Sequence, residues 1–181
     1  MESLQACLLV ASPKLPDTNF FRSVVLMIQH DEEGAFGVVL NRPTHLTVGQ
    51  VWSEAAGVAC DNDQPVNLGG PVPGPLLALH TWEEQNSGEV LPGLFLATER
   101  DQLDALVGQD EHPFRLFTGY SGWGSGQLED ELEAGGWLTT PARKEHLFGD
   151  PETLWQQVAD AIGQAILFPG VTHRPADPGA N

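Results

Sequence analysis

The sequence predicts one α+β domain, built on a largely antiparallel or mixed folded sheet or a pseudo-barrel, with helices at its periphery. The chain has 181 residues, of which 41% are hydrophobic and 18% charged, and this composition is typical of a globular protein. Short apolar runs typical of strands dominate the first half, and segments with helix-start signals follow. We expect the domain to span residues 1–167 and a flexible tail to cover residues 168–181.

A β-hairpin near the N-terminus gives the strongest strand signal. Residues 23–29 are rich in β-branched and aliphatic side chains, and residues 35–40 form a second apolar run. A polar connection that ends at Gly34 separates them, as is typical of a hairpin. Six further strands are expected, at residues 4–11, 66–71, 76–82, 93–97, 114–117 and 137–140.

Four segments carry helix signals. Residues 47–56 begin at a possible N-cap, Thr47, and residues 99–107 follow a second possible cap, Thr98. An acidic helix is expected over residues 127–134. The last helix is expected to start at Asp-Pro-Glu, residues 150–152. Its apolar stripe should pack on the sheet and comprises Trp155, Val158, Ala159, Ile162 and Ile166.

The charge of the chain disfavours several classes of partner. The chain has 8 basic and 25 acidic residues, which gives a net charge of −17, and the basic residues are scattered along the sequence. Nucleic-acid binding relies on Lys and Arg to neutralise phosphates, so direct binding to DNA or RNA is disfavoured, as is an anionic membrane surface. Without a signal-peptide pattern or a long apolar run, a cytoplasmic location is expected.

The most unusual segment is the glycine-rich stretch at residues 119–126, which opens onto the acidic helix. It could form an anion-binding nest at the helix N-terminus. It contains no lysine for a P-loop, and the glycine spacing of a dinucleotide-binding motif fails at Gln127 and Glu129. A nucleophile elbow at Ser121 would need glycine in place of Trp123. A structural turn is therefore favoured, with a binding site as the alternative.

Five residues form the candidate ligand- or partner-binding set. Arg42 follows a strand and could fork onto a carboxylate, with an internal partner favoured in so acidic a chain. Tyr120 and Trp123 flank the glycine-rich turn, either as a stacking platform or as packing anchors. Gln127 and Glu129 complete the set at the start of the acidic helix.

The pattern contains no catalytic constellation. The six histidines and two cysteines lack metal-ligand spacing, and no serine sits in a recognisable elbow. We therefore expect no catalytic residue, metal or cofactor, and favour a binding or regulatory module that acts through a protein or a small molecule. The alternatives are an enzyme of unrecognised type that uses Arg42, Glu129 and His80, and, less favoured, a direct transcriptional regulator.

Four sequence blocks, followed by Trp137, resemble the YqgE/AlgH family of bacterial proteins. The blocks are Phe-Phe-Arg-Ser-Val-Val at 20–25, His-Asp-Glu-Glu-Gly-Ala-Phe-Gly-Val-Val-Leu-Asn-Arg-Pro at 30–43, Leu-Gly-Gly-Pro-Val at 68–72, and Gly-Tyr-Ser-Gly-Trp-Gly-Ser-Gly-Gln-Leu-Glu-Asp-Glu at 119–131. The resemblance spans about residues 4–165. It implies an α+β fold around a folded sheet or pseudo-barrel.

The resemblance implies little about activity. Members of this family carry a transcriptional-regulator label or no functional description, and no catalytic residue or cofactor carries over. The label arose from an association with alginate production and does not describe a DNA-binding motif. The chain also departs from the family pattern, because Pro-Gly-Pro at residues 73–75 replaces the usual Asp-Arg-Gly-like turn.

Overall fold

The protein, as a computed structural model, is described over residues 3–85 and 88–167. The tail expected over residues 168–181 lies outside the described residues. Within them the chain forms eleven strands: β1 (Cys7–Ala11), β2 (Val24–Asp31), β3 (Gly34–Val39), β4 (Pro43–Thr47), β5 (Pro65–Leu68), β6 (Leu77–His80), β7 (Glu89–Leu91), β8 (Leu94–Ala97), β9 (Phe114–Thr118), β10 (Ser121–Gly124) and β11 (Trp137–Pro141). The five α-helices in the same ranges are α1 (Val48–Ala56), α2 (Arg100–Val107), α3 (Gln127–Glu133), α4 (Lys144–Phe148) and α5 (Leu154–Leu167).

The first sheet has five antiparallel strands in the order β10-β3-β2-β1-β11. The expected β2–β3 hairpin is present, and its two strands continue into the polar connection as far as Asp31 and Gly34. Strand β1 lies between β2 and β11, with Val10 opposite Val24 on one side and Leu138 on the other. Its apolar sequence suits this position, because both of its faces pack in the interior.

The second sheet has six strands in the order β4-β5-β9-β6-β8-β7. Its neighbours run antiparallel except for β5 and β9, where Asn67 lies parallel beside Phe117. The strands of the described residues therefore form two separate sheets and no closed barrel. The mixed α+β domain expected from the sequence is confirmed, in its folded-sheet form rather than as a pseudo-barrel.

Three layers of apolar side chains hold the domain together. The central layer includes Leu8, Leu26, Leu79 and Phe117, and it also takes in residues of α4 and α5. A second layer covers one face of the first sheet under α3, and a third packs α1 and α2 on the second sheet. Burial of this apolar surface is the main force that stabilises the fold.

Helix boundaries follow local capping chemistry. Thr47 caps α1 as expected: its hydroxyl accepts from the Gln50 amide at 3.2 Å, and the Gln50 side chain accepts from the Thr47 amide at 3.0 Å. Thr98 is not the cap of α2, because Glu99 occupies that position and its N–H donates to Gln102 at 3.3 Å.

The last helix also differs in part from the prediction. Residue Ile166 was expected to pack on the sheet, yet it is 69% exposed. Helix α5 begins at Leu154, one turn later than expected, and Leu154 itself is buried beside Val158. No helix in the described ranges is both long and apolar enough to cross a bilayer.

The glycine-rich segment is the main structural difference from the prediction. Residues Ser121–Gly124 form β10, an edge strand that pairs with β3, rather than a turn. Its alternation places Ser121 and Trp123 inward and leaves Gly122 and Gly124 exposed. The glycine content obscured a period of two, because two of the four positions carry no side chain.

Candidate functional site

Two regions contain several of the sequence-predicted residues, and the first is a tryptophan cluster beneath α3. This cluster comprises Phe20, Trp123 and Trp137 together with the carboxylate of Glu131. The Phe20 ring stacks on Trp123 at 5.8 Å and meets Trp137 edge-on at 5.2 Å. Both indoles are at least 95% buried. Trp123 therefore packs in the interior, as in the packing-anchor alternative of the sequence analysis rather than the stacking-platform alternative.

One carboxylate satisfies both indoles of the tryptophan cluster. Glu131 Oε2 accepts from Trp123 Nε1 at 3.0 Å and from Trp137 Nε1 at 2.8 Å. The other oxygen, Oε1, accepts from Gln127 Nε2 at 3.1 Å. The side-chain oxygen of Gln127, Oε1, accepts in turn from the Gly124 backbone N–H at 3.1 Å. Gln127 thus joins β10 to the first turn of α3, and its amide is engaged within the fold.

Glu129 is engaged by His30 at the end of β2. The carboxylate lies 2.8 Å from His30 Nε2, while His30 Nδ1 accepts from the Leu4 amide at 2.9 Å. Since Nδ1 acts as an acceptor, the proton of the neutral ring is on Nε2 and is donated to Glu129. This hydrogen bond is the largest cause that lowers the pKa of Glu129. The residue therefore ties α3 to β2 and the N-terminal segment.

Tyr120 lies apart from the tryptophan cluster. Its ring packs against Phe36 at 5.2 Å and borders the central layer of the core. Its backbone forms an isolated bridge with Val72. Gly74 and Gly122 lie close enough to the ring that a methyl group at either position would contact it. Tyr120 is thus a second packing anchor rather than half of a shared platform with Trp123.

The second region surrounds Arg42, and we call it the arginine cleft. It consists of two adjoining cavities that share Pro43 and Pro151 as walls. Arg22 and Arg42 line one cavity, of about 380 Å³, and Arg115 lines the other, of about 370 Å³. Ligand pockets for small molecules occupy about 300–1,000 Å³, so either cavity alone or the pair has a suitable size.

The cleft forms where several elements meet. Arg42 lies between β3 and β4, and its guanidinium donates to the carbonyl oxygens of Phe21 and Asn41. Arg115 projects from β9 and donates to the Leu40 carbonyl at 3.4 Å and to the Gly149 carbonyl at 2.9 Å. Both arginines therefore have fixed positions, held by backbone oxygens rather than by carboxylates.

Arg22 has a different environment. Its guanidinium lies 5.4 Å from the centre of the Phe21 ring and 5.2 Å from that of Trp155. Its backbone is left-handed, with φ of 51°, a conformation that costs a residue other than glycine roughly 1–2 kcal/mol. Asn41 holds it in place, because the Asn41 amide donates to the Arg22 carbonyl at 2.9 Å and accepts from Val24 at 2.9 Å.

The three cleft arginines form no salt bridge with any residue that the structure describes. Within the described residues, the salt bridge of an arginine joins Arg100 to Asp104, and it lies outside the cleft. Desolvation by burial lowers the pKa of both Arg42 and Arg115. The internal carboxylate expected for Arg42 is thus absent from this part of the chain. Although the protein has 25 acidic residues, no carboxylate of the described ranges forms a salt bridge with either half-buried guanidinium.

The residues proposed for the enzyme alternative do not share a site. Neither Glu129 nor His80 lines either cavity of the cleft. His80 is fully buried in β6, where Nδ1 accepts from the Trp82 amide at 3.2 Å and burial lowers the pKa of the imidazole. In residues 3–85 and 88–167, no three His, Cys, Asp or Glu side chains form a group that could hold a metal ion.

A larger groove has fewer charged groups in its lining than the cleft has. It has a volume of about 1090 Å³ and lies between β11 and the C-terminal turns of α5. Its lining includes Leu138, Ile162 and Ile166, with Arg143 as its one charged group. The arginine cleft has three guanidinium groups in its described lining, whereas this groove has one, so the cleft is the better match for an anionic ligand.

Comparison with known proteins identifies the family. A model of AlgH-like proteins matches residues 8–167. The chain belongs to the AlgH-like family. It is 42% identical over 168 residues to a UPF0301 protein of Myxococcus xanthus, a match that covers 90% of this chain and 93% of the relative. It is 43% identical over 166 residues to a UPF0301 protein of Xanthomonas campestris pv. campestris, with 86% and 87% covered.

Solved structures agree with this membership of the AlgH-like family. The solution structure of AlgH from Pseudomonas aeruginosa superposes with a TM-score of 0.76 at 30% identity, and covers 95% of this chain and 96% of that one. Protein DIP2367 from Corynebacterium diphtheriae shares the fold, with a TM-score of 0.70 at 24% identity over 87% and 86% of the two chains. The resemblance stated from the sequence blocks is therefore confirmed.

Of the five residues named from the sequence, the structure brings together only part of the set. Trp123 and Gln127 meet through Glu131, Glu129 is held nearby on α3 by His30, and Arg42 lies in the separate cleft. Sequence reasoning did not select Arg22 or Arg115. Arg22 lies inside one of the blocks that carried the family resemblance, and this was the available signal.

Proposed function

We propose that this AlgH-like protein is a non-enzymatic binding module that recognises an anionic small molecule in the arginine cleft. The observation that carries the proposal is the presence of two half-buried guanidinium groups, Arg42 and Arg115, with backbone carbonyls as their hydrogen-bond partners. The cytoplasmic location expected from the sequence and a regulatory role are parts of the same proposal.

Electrostatic reasoning supports an anion as the ligand. A buried cation without a counter-ion destabilises the fold, and such groups are usually paired. A guanidinium that is already fixed by backbone acceptors loses little freedom when it binds a phosphate or carboxylate, with which it forms strong, charge-assisted hydrogen bonds. A bound anion would therefore recover the interaction energy that the fold leaves unused at Arg42 and Arg115.

One acidic residue in the cleft opposes this charge. Glu152 lines the same cavity as Arg22 and Arg42. Its carboxylate weakens the local positive potential, so removal of its charge should tighten binding of a simple anion. This gives two substitutions with opposite expected effects: Arg42→Ala weakens binding and Glu152→Gln strengthens it.

Thermal shift with inorganic pyrophosphate and with citrate tests the proposal. A ligand at about 100 times its dissociation constant stabilises a fold by about 2.7 kcal/mol, which for a chain of this size raises Tm by roughly 5–10 °C. We expect Arg42→Ala to weaken binding about 10- to 100-fold, as fits the loss of a charge-assisted hydrogen bond. Glu152→Gln should tighten it about two- to threefold.

Arg100→Ala is the matched control. Arg100 is an exposed arginine on α2 that donates to the Ala56 carbonyl and pairs with Asp104, and it does not line the cleft. Binding should be unchanged in this variant. Equal weakening in Arg42→Ala and Arg100→Ala would indicate a general charge effect and refute the site. No shift with either anion would refute the small-anion proposal and favour a protein partner.

The other sequence-based alternatives lack a supporting observation. An enzyme that uses Arg42, Glu129 and His80 would require residues that the structure places apart. For direct DNA binding, the net charge of −17 opposes association with a polyanion, and three arginines in a narrow cleft do not form an extended basic surface. We expect no gel shift of duplex DNA at about 150 mM salt, near the physiological level at which charge contacts are screened.

A further inference from the structure

We infer that the arginine cleft is specific for a mononucleotide with a guanine-type base. The inference rests on the proposed function and deepens it, because it adds a planar ring and a hydrogen-bonding edge to the anion. The two cavities differ in their linings, and the difference defines two halves of a ligand: a ring in the cavity of Arg22 and an anionic group at Arg42 or Arg115.

Planar groups dominate the first cavity. The Phe21 ring, the Arg22 guanidinium and the Trp155 indole all line it. The Phe21 ring is 68% exposed, which core packing does not explain, while the Trp155 indole is fixed by donation to the Ala11 carbonyl at 2.9 Å. Aromatic rings and guanidinium planes are the groups on which proteins stack bases.

The backbone conformation at Arg22 supports a role for this side chain. A left-handed backbone at a residue other than glycine is retained where the surrounding structure enforces it, and such residues cluster at ligand sites. Here Asn41 enforces it through two hydrogen bonds at 2.9 Å. The consequence is that the guanidinium lies between two aromatic rings rather than in solvent alone.

The polar edge of this cavity accepts hydrogen bonds. Glu152 contributes a carboxylate. Gln156 Nε2 donates one hydrogen to Asp160 at 2.8 Å, and its side-chain carbonyl oxygen remains an acceptor for a ligand. A ring that presents adjacent N–H donors matches such an edge. Guanine, with its ring N1–H and exocyclic N2–H₂, has this pattern and can pair with a carboxylate through two parallel hydrogen bonds.

The second cavity extends the site toward a phosphate. It adjoins the first through Pro43 and Pro151, and Arg115 supplies its cation. Asn67 also lines it, and its buried Oδ1, which has no hydrogen-bond partner among the described residues, can accept from a sugar hydroxyl beside the phosphate. The amide orientation is fixed, because Nδ2 donates to two backbone carbonyls. The two cavities together have room for a base, a sugar and a phosphate.

Titration calorimetry with GMP, ribose 5-phosphate, guanosine and UMP tests the inference on the full chain. Ribose 5-phosphate carries the anion without the ring, and guanosine carries the ring without the anion. Because stacking of one base contributes a factor of about five or more, we expect GMP to bind at least about fivefold more tightly than ribose 5-phosphate, and more tightly than UMP.

Two variants separate the ring from the anion. Phe21→Ala removes an exposed ring and keeps the backbone carbonyl that Arg42 contacts. It should therefore weaken the binding of GMP severalfold and leave the affinity for ribose 5-phosphate unchanged. Glu152→Gln should reduce the difference in affinity between GMP and ribose 5-phosphate, because it weakens the contact with the base and strengthens the binding of the anion. Val58→Ala, a change at another exposed apolar residue that lines neither cavity, is the control.

The outcomes distinguish the two proposals. If ribose 5-phosphate binds as tightly as GMP, with both lost in Arg42→Ala, the anion site stands and the base inference is wrong. If guanosine binds as tightly as GMP and Arg42→Ala has no effect, the anion proposal fails. If none of the four compounds binds, the mononucleotide inference fails, and the pyrophosphate and citrate measurements alone decide the anion proposal. GMP binding that is insensitive to Phe21→Ala, together with an unchanged ratio of GMP to ribose 5-phosphate affinity in Glu152→Gln, would overturn the base inference.

Discussion

Replacement of Glu131 by alanine should destabilise the domain through the tryptophan cluster. Its Oε2 accepts hydrogen bonds from two indole N–H groups, at 3.0 and 2.8 Å, and both tryptophans are buried. Alanine at this position leaves both donors without their partner. A buried donor that loses its acceptor costs about 1–3 kcal/mol, so the two together cost roughly 2–4 kcal/mol after allowance for partial access of water at the rim.

The effect is large enough to measure by two independent methods. For a chain of this length each kcal/mol lowers Tm by about 2–4 °C, so we expect Glu131→Ala to lower Tm by roughly 5–15 °C. Urea unfolding should show a lower midpoint with an unchanged slope. Near-ultraviolet circular dichroism of the folded variant should also change, because the indoles lose their fixed orientation.

Glu133→Ala serves as the matched control for this prediction. Glu133 lies on the same helix and is exposed, so its replacement should change stability by less than about 0.5 kcal/mol. A loss below about 1 kcal/mol in Glu131→Ala would refute the reasoning, since it would mean that water satisfies both indoles. Equal losses in the two variants would show that the effect comes from the helix and not from the shared carboxylate.

Three further predictions concern backbone conformation, pH and the cleft. Gly34→Ala should lower the free energy of unfolding, measured in urea, by at least about 1 kcal/mol more than Gly57→Ala does. Both glycines have positive φ, but a methyl group at residue 34 would clash with the Trp123 carbonyl oxygen, whereas the space at residue 57 is open. The hydrogen bond from His30 lowers the pKa of Glu129 from its ordinary value of 4.5. The ionised Glu129 carboxylate therefore stabilises the folded state fully above pH 4.5, and this stabilisation is lost as the pH falls through the lower pKa of the folded state. Glu129→Gln should therefore lose less stability than the wild type when the pH is lowered from about 5 to about 3, and an identical pH profile would contradict the assignment. Arg22→Gly should keep stability within about 1 kcal/mol, because glycine accepts the left-handed backbone, yet weaken GMP binding; a variant that unfolds would contradict this.

Local patterns in the sequence predicted much of the fold. The β2–β3 hairpin and the Thr47 cap of α1 follow from neighbouring residues alone, and both are present. Strand β4 was missed because it is an edge strand with exposed residues such as His45 and Leu46, so it has no buried alternation to detect. Strand β7 and helix α4 are three and five residues long, which is too short for a period to emerge.

The functional geometry was harder to predict, because it depends on contacts between distant segments. Glu131 appeared as one acid in an acidic helix, and nothing local indicates that it accepts from indoles on β10 and β11. The cleft arginines are scattered in sequence and converge only because the start of β2, the end of β3 and strand β9 meet at the same place. Arg42 is predicted from its position after a strand, whereas Arg115 has no such local pattern and Arg22 has only its place in a family block.

The position of β1 has a consequence for how the protein is made. Strand β1 holds residues Cys7–Ala11 and pairs on one side with β2, but its other partner, β11, lies more than 120 residues further along the chain. During synthesis the apolar strand Leu8-Leu9-Val10 therefore leaves the ribosome early and keeps one open edge until almost the entire domain has been translated. Such an edge can pair with other nascent chains. Rapid completion of translation, or a chaperone that shields this strand, would protect the newly made protein from aggregation.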